Sequence, residues 1–232
     1  MKFIKAKNYE ELSQIAGEII ATQIKEKPTT VLGLATGSSP VGTYKYLAKS
    51  GVDFSKVKTI NLDEYVGLDV NHKQSYRRFM NENLFDNINI DKNNTYVPNG
   101  VAKNLEEETK QYDQRIEDFG GIDLQLLGIG VDGHIGFNEP DNHFTAQTHV
   151  VTLDPSTIEA NARFFSSKNE VPKQAITMGM KGIMTAKKIV LVANGKNKKE
   201  ILEKAMYGNI SPLVPASILQ LHSDITIIYS EE

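Results

Sequence analysis

The chain has 232 residues, with 40% of them hydrophobic and 24% charged, and a formal net charge of -3. That make-up is ordinary for a soluble globular protein, long enough for one large domain or two small ones with a core that needs no staples. The charge gives no general attraction to nucleic acid or an anionic membrane, and the lack of cysteine excludes disulfides and Cys-ligated zinc.

The cysteine count fits a reducing compartment. Met1 to Lys7 holds no apolar stretch of the kind a signal peptide uses, and no segment approaches the ~20 apolar residues of a membrane helix. The expectation is a cytoplasmic protein.

Residues 8–26 read as a helix. Asn8 and Glu11 stand at capping-box spacing, and Leu12, Ile15, Ala16, Ile19, Ile20 and Ile24 fall on one face. Thr30 to Ala35 reads as a buried strand. A Gly/Ser loop follows, then a helix with Ser39 as N-cap and Pro40 in its first position. Residues 57–62 form the next strand, and 74–85 and 104–119 have helical pattern. Ile122 to Leu127 is a strand, 149–153 another, and Asp154-Pro155 caps a helix running towards Arg163. Lys188 to Ala193 is a strand, a Lys-rich helix follows Gly195, and 225–228 is the last strand. Strands alternating with helices predict an α/β fold, with a largely parallel sheet. No repeat, low-complexity tract or linker divides the chain.

In such sheets ligands bind at the carboxyl ends of the strands. Polar clusters fall at four predicted strand ends: residues 36–39, 63–65, 130–139 and 194–199. The richest follows Leu126-Leu127: Gly128, Gly130 and Gly133 are interleaved with Asp132 and His134, and Glu139 comes just before Pro140. Titratable groups of different intrinsic pKa in one Gly-rich loop suit proton transfer. Gly128-x-Gly130-x-x-Gly133 formally matches a dinucleotide fingerprint, but Pro140 and the crowd of polar residues argue against the helix that the fingerprint requires. A metal reading is weakened because no second histidine stands at a ligand spacing. Carboxylates beside a structural histidine remain the bland alternative.

Each of the other clusters also has two readings. Thr36-Gly37-Ser38-Ser39-Pro40 is either a phosphate cradle at a helix N-terminus or plain capping by Ser39. It lacks the GxxxxGK[ST] pattern of an NTP-binding loop. Asp63 and Glu64 are either a general base and its neighbour or a solvated turn or helix cap. Arg163, in Asn161-Ala162-Arg163-Phe164-Phe165, reads by itself as a surface arginine covering aromatic surface. Lys196, Lys198 and Lys199 oppose the dipole of the helix they begin, a conflict that a bound phosphate would resolve.

Taken together, Leu32 to Pro40, Asn61 to Leu68, Ser75-Tyr76, Phe79-Met80, Gly133 to Pro140, Arg163 to Phe165, Val171 to Lys173 and Ile218 to His222 resemble the glucosamine-6-phosphate deaminase family, collinearly and over nearly the whole chain. The resemblance implies a Rossmann-like α/β fold with helices on both faces, shared with sugar-phosphate isomerases and 6-phosphogluconolactonases. It implies conversion of glucosamine 6-phosphate to fructose 6-phosphate and ammonia, with no metal and no organic cofactor. In that likeness Asp63 is the enolisation base. His134 opens the sugar ring, with Asp132 and Glu139 as partners. Gly37, Ser38 and Ser39 form the phosphate loop, and Arg163 and Lys198 are its cationic clamps. Residues 1–232 are expected to form a single domain, with 141–175 as a candidate lid.

Departures set further expectations. Allosteric members of the family carry basic residues shortly after the Asn-Glu-Pro segment and continue further after the last strand. Here Asp141 to Val151 has no Arg or Lys, and the chain ends at Glu232. No activation by N-acetylglucosamine 6-phosphate is expected, and a monomer or small homo-oligomer is expected rather than a hexamer. The partner is a small amino-sugar phosphate, with no nucleic acid and no membrane. Two rivals are a 6-phosphogluconolactonase, whose relatives have Asp-Glu-Arg in place of Asp63-Glu64-Tyr65, and a sugar-phosphate sensor without the acids.

Overall fold

The computed structural model describes residues 1–162, 165, 167 and 170–232, apart from the side chains at 156, 160 and 161. The chain opens with β1 (Lys2–Lys5), α1 (Tyr9–Glu26), β2 (Val31–Leu34), α2 (Val41–Lys49), β3 (Lys58–Asn61), β4 (Asp63–Tyr65) and α3 (Tyr76–Asn83). It continues with β5 (Thr95–Tyr96), α4 (Leu105–Asp118), β6 (Leu124–Leu127), β7 (His149–Thr152) and α5 (Pro155–Ala162). It closes with β8 (Gln174–Thr177), α6 (Met180–Met184), β9 (Lys188–Asn194), α7 (Lys199–Tyr207) and β10 (Ile225–Ser230).

The main sheet has seven strands in the order β1-β10-β9-β6-β2-β3-β5, and each pairing is parallel. Alternation along the strands divides the core between two faces. Leu32 and Leu34 of β2 pack with α1 residues Leu12, Ala16, Ile20 and Ile24. Val31, Ile60 and Leu127 join the opposite cluster, with Tyr112 and Ile116 of α4 and Leu202 and Ala205 of α7. Burying one such large apolar side chain is worth roughly 1.5–3 kcal/mol. The expected Rossmann-like architecture, with helices on both faces, is the one observed.

From β2 the chain moves outward through β3 to β5, then returns to place β6 on the other side of β2. The order therefore reverses between β2 and β6, the switch point at which a crevice opens above the strand ends.

A second sheet, of three antiparallel strands in the order β4-β8-β7, was not foreseen from sequence. Asp63 is the first residue of one of its strands rather than part of a turn, and lies opposite Thr177.

The caps follow the sequence closely, with two corrections. Asn8 accepts from the Glu11 N–H at 2.9 Å, but Glu11 Oε2 reaches back to the N–H of Lys7, one residue before the expected partner. Ser39 does not cap α2: the helix starts at Val41, Pro40 holds the cap position, and no side chain bonds there. The capping explanation for Ser39 thereby falls away.

Candidate active site

The four polar clusters lie on one edge of the sheet because β2, β3, β6 and β9 run parallel and each cluster follows its strand. Gly37 has φ 93°, a left-handed conformation natural to glycine, and a Cβ there would meet nothing within 4 Å. The neighbouring Ser38 is exposed. The turn is held from below by Tyr9 of α1. Its hydroxyl lies 2.9 Å from the Ser38 carbonyl oxygen and 3.2 Å from that of Ser39, and accepts from the Gly42 N–H at 2.8 Å. Nothing in the sequence marked Tyr9, whose partners lie some thirty residues away.

Asp63 and Glu64 are 5% and 2% exposed, yet they are satisfied differently. Glu64 Oε1 accepts from the N–H groups of Tyr65 and Tyr76, and Oε2 from that of Arg77. Asp63 Oδ1 is buried without a hydrogen-bond partner among the described residues. Burial, then the charge of Glu64, pushes the Asp63 carboxyl up to about 8. Burial raises Glu64 as well, to about 7, although its three N–H donors and Arg77 pull against it.

The loop after β6 folds over this pair. His134 lies against the backbone of Gly130, where a Cβ would sit 2.3 Å from the ring. Its Nδ1 is 2.7 Å from Asp132 Oδ1, and its backbone N–H donates to the same oxygen at 3.1 Å. Burial alone would raise Asp132, but the contacts and charge of His134 outweigh burial and hold the carboxyl at about 2. Asp132 thus faces Nδ1 at ion-pair distance, leaving Nε2 as the nitrogen turned from the carboxylate.

Gly136 carries the loop up to Asp63. It has φ 61°, and a Cβ there would lie 2.9 Å from Thr177 Oγ1 and 3.4 Å from Asp63 Oδ2. Thr177 also accepts from the Phe137 N–H, and the Asn138 amide donates to the carbonyl oxygens of Ile135 and Met178. Phe137 stacks on Tyr76 at 5.9 Å and lies beside Tyr65 at 5.6 Å. Lys198, in a 3-10 turn after β9, donates to the Ile129 carbonyl oxygen at 2.7 Å. Burial lowers its pKa, against the pull of Asp132.

Glu139 has partners that the sequence did not suggest. It accepts from the Asp154 N–H at 3.0 Å and from the Thr157 hydroxyl at 2.5 Å, which ties it to the start of α5. Arg163 lies outside the described residues. A cavity of about 240 Å³ beside the loop is walled by Glu139, Asp141, His143, His149 and Asp154 among others, with no lysine or arginine among its described lining.

The fold is that of a Rossmann-like α/β enzyme, and the candidate residues gather at the carboxyl ends of its parallel strands. The chain belongs to the family described as glucosamine-6-phosphate isomerases/6-phosphogluconolactonase, whose model matches residues 5–228. Within it, the chain is 59% identical to a glucosamine-6-phosphate deaminase of Lachnoclostridium phytofermentans over 98% of each protein. It is 57% identical to one of Clostridium perfringens, over 100% of this chain and 98% of that protein. A solved structure of a monomeric glucosamine-6-phosphate deaminase superposes with a TM-score of 0.97 at 48% identity, over 100% of this chain and 98% of the other. The 6-phosphogluconolactonase of Trypanosoma cruzi shares the fold, with a TM-score of 0.79 at 20% identity over 100% and 94% of the two chains.

Proposed function

We propose that this protein converts glucosamine 6-phosphate and water to fructose 6-phosphate and ammonia in amino-sugar catabolism. The observation that carries the reading is the approach of Gly136 to Asp63. It supports a shared crevice for a carboxylate-paired imidazole and a buried, basic carboxylate, which is what a ring opening followed by an enolisation needs.

The closed sugar must lose a proton from its anomeric hydroxyl and gain one on the ring oxygen. His134, oriented by Asp132, shuttles both. Glu139 completes the ring-opening set, and its bonds to α5 tie it to the segment that leads in sequence to Arg163. Asp63 then takes the proton from carbon-2 of the open aldose and returns it to carbon-1, leaving an imine at carbon-2 that water hydrolyses to ketone and ammonia. The phosphate takes no part in bond breaking. Gly37, Ser38 and Ser39 hold it with Lys198 and Arg163, and their binding energy is spent on orientation.

The reading extends to regulation and assembly. The wall of the cavity beside Glu139 carries three carboxylates and two imidazoles, an unsuitable lining for an anionic sugar phosphate. On this reading the enzyme works without activation by N-acetylglucosamine 6-phosphate, as a monomer or small homo-oligomer acting as one domain in the cytoplasm, with 141–175 as a candidate lid. Among the described residues no helix is long and apolar enough to cross a membrane.

A coupled assay for ammonia and fructose 6-phosphate, with and without the acetylated sugar phosphate, tests both parts. Hyperbolic kinetics unchanged by that compound are expected. Acid release from 6-phosphogluconolactone without ammonia release from glucosamine 6-phosphate would refute the reaction, and a sigmoidal curve made hyperbolic by the acetylated compound would refute the regulation. His134→Gln is expected to lose ring opening while retaining turnover of a non-cyclising analogue.

A further inference from the structure

We propose that Glu64 is a positioning residue for the reaction: its carboxylate, locked on the N-terminus of α3, carries a negative charge beside Asp63 that makes Asp63 a stronger base. The inference rests on the reading of Asp63 as the carbon-acid base and adds a residue to which no step has been assigned.

The geometry separates the two neighbouring carboxylates. Glu64 has three backbone N–H donors at 2.9, 2.9 and 3.0 Å, two of them from the first residues of α3. Donors aimed at both oxygens, at the positive end of a helix, favour its ionised form. Arg77, the nearest candidate counter-ion, is occupied elsewhere: its guanidinium donates to the Thr95 hydroxyl and carbonyl oxygens, both at 2.7 Å. The Glu64 charge is thus held mainly by amide dipoles, and its field is not cancelled by a close ion pair. Gly100 closes over the stem, where a Cβ would lie 3.4 Å from Glu64 Cγ and 1.9 Å from the Tyr65 carbonyl oxygen. A larger residue at 100 would open this packing.

Asp63 meets the opposite surroundings. Its buried Oδ1 has no partner among the described residues, and the other titratable groups whose fields couple to it are phenols: Tyr44 of α2, Tyr65 of β4, Tyr76 of α3 and Tyr112 of α4. Burial raises all four, so they stay neutral at pH 7. Among the described residues, Glu64 is left as the acid whose charge acts on Asp63. It ionises first, and the base keeps its proton affinity high enough to attack a carbon acid near neutral pH.

The test is a carboxyl-carbon NMR titration of Asp63, assigned with Asp63→Asn, in the wild type and in Glu64→Gln, alongside the pH dependence of kcat/KM for glucosamine 6-phosphate. In Glu64→Gln both the Asp63 midpoint and the acid limb are expected to move down by about one pH unit. Ser75→Ala weakens the same helix start by removing the cap on the Arg78 N–H; it should lower Tm and leave both midpoints in place. An Asp63 midpoint unchanged in Glu64→Gln, or moved equally by Ser75→Ala, overturns the proposal. A midpoint that moves in a protein without deaminase activity keeps the proposal and rejects the assigned reaction. Should Glu64→Gln not fold, the wild type alone decides: Glu64 must titrate below Asp63, and the reverse order overturns the proposal.

Discussion

Gly136 presents bare backbone to Asp63, and a methyl group on its Cα would stand 3.4 Å from Asp63 Oδ2 and 2.9 Å from Thr177 Oγ1. The second distance is shorter than Cβ contacts tolerate, and φ 61° is unfavourable for alanine in any case. Gly136→Ala is therefore expected to cost roughly 1–3 kcal/mol in urea unfolding and at least about tenfold in kcat/KM. A variant with wild-type turnover would show that the loop and Asp63 need not lie so close.

Asp63 is expected to trade stability for chemistry. Its folded pKa is raised, so the unfolded chain releases this proton first as pH rises. No penalty exists below pH ~4, where both states are protonated; it grows as pH rises towards about 8 and is constant above. Asp63→Asn mimics the protonated form without the penalty. Its Tm should exceed that of the wild type by a margin that widens with pH over this range, while carbon-2 proton exchange with solvent disappears. Equal Tm values across the range would contradict the raised pKa.

Asp123 has the opposite sign. It is 4% exposed, lies 2.6 Å from Lys27 and 2.8 Å from Lys187, and accepts from the Val31 N–H at 2.8 Å. Burial raises its pKa, but these bonds outweigh it and bring the carboxyl down to about 2. Its contribution is full above pH ~4 and is lost as pH falls towards about 2. Asp123→Asn should destabilise by roughly 1–3 kcal/mol at pH 7, with the difference closing in acid and kcat unchanged. Denaturant melts at pH 7 and pH 3 measure it.

Tyr9→Phe removes the hydroxyl that binds the turn at Ser38, Ser39 and Gly42. If that turn holds the phosphate, kcat/KM should fall several-fold, with KM raised and kcat lowered together, because the remote anchor both binds the substrate and orients its reacting carbons. A fall in kcat at constant KM would place the turn elsewhere in the reaction.

Much of this site could be read along the chain because its parts are local. Asp132 and His134 are two residues apart, and the strands that present them are short apolar runs. Asp63 was recognisable for its position at a strand end, although the strand it begins was not. Asp-Glu-Tyr has little strand pattern of its own, and its partners at 174–177 are more than a hundred residues away. Glu139 stood out in the sequence as a candidate, but its bonds to Asp154 and Thr157 depend on how α5 returns to the loop. Tyr9 was hidden because it sits at the start of an amphipathic helix, where an aromatic reads as packing.

The small antiparallel sheet has one more consequence. Asp63, Thr177 and His149 stand in one row of that ladder, with Glu64, Ile176 and Val150 in the next. Successive side chains on a strand face opposite ways, so a slip of one place would turn Glu64 to where Asp63 now faces and swing Asp63 away. Two acids adjacent in the chain would exchange duties without any change of residue. Which carboxylate faces the Gly136 loop is thus written in strand registration as much as in residue identity.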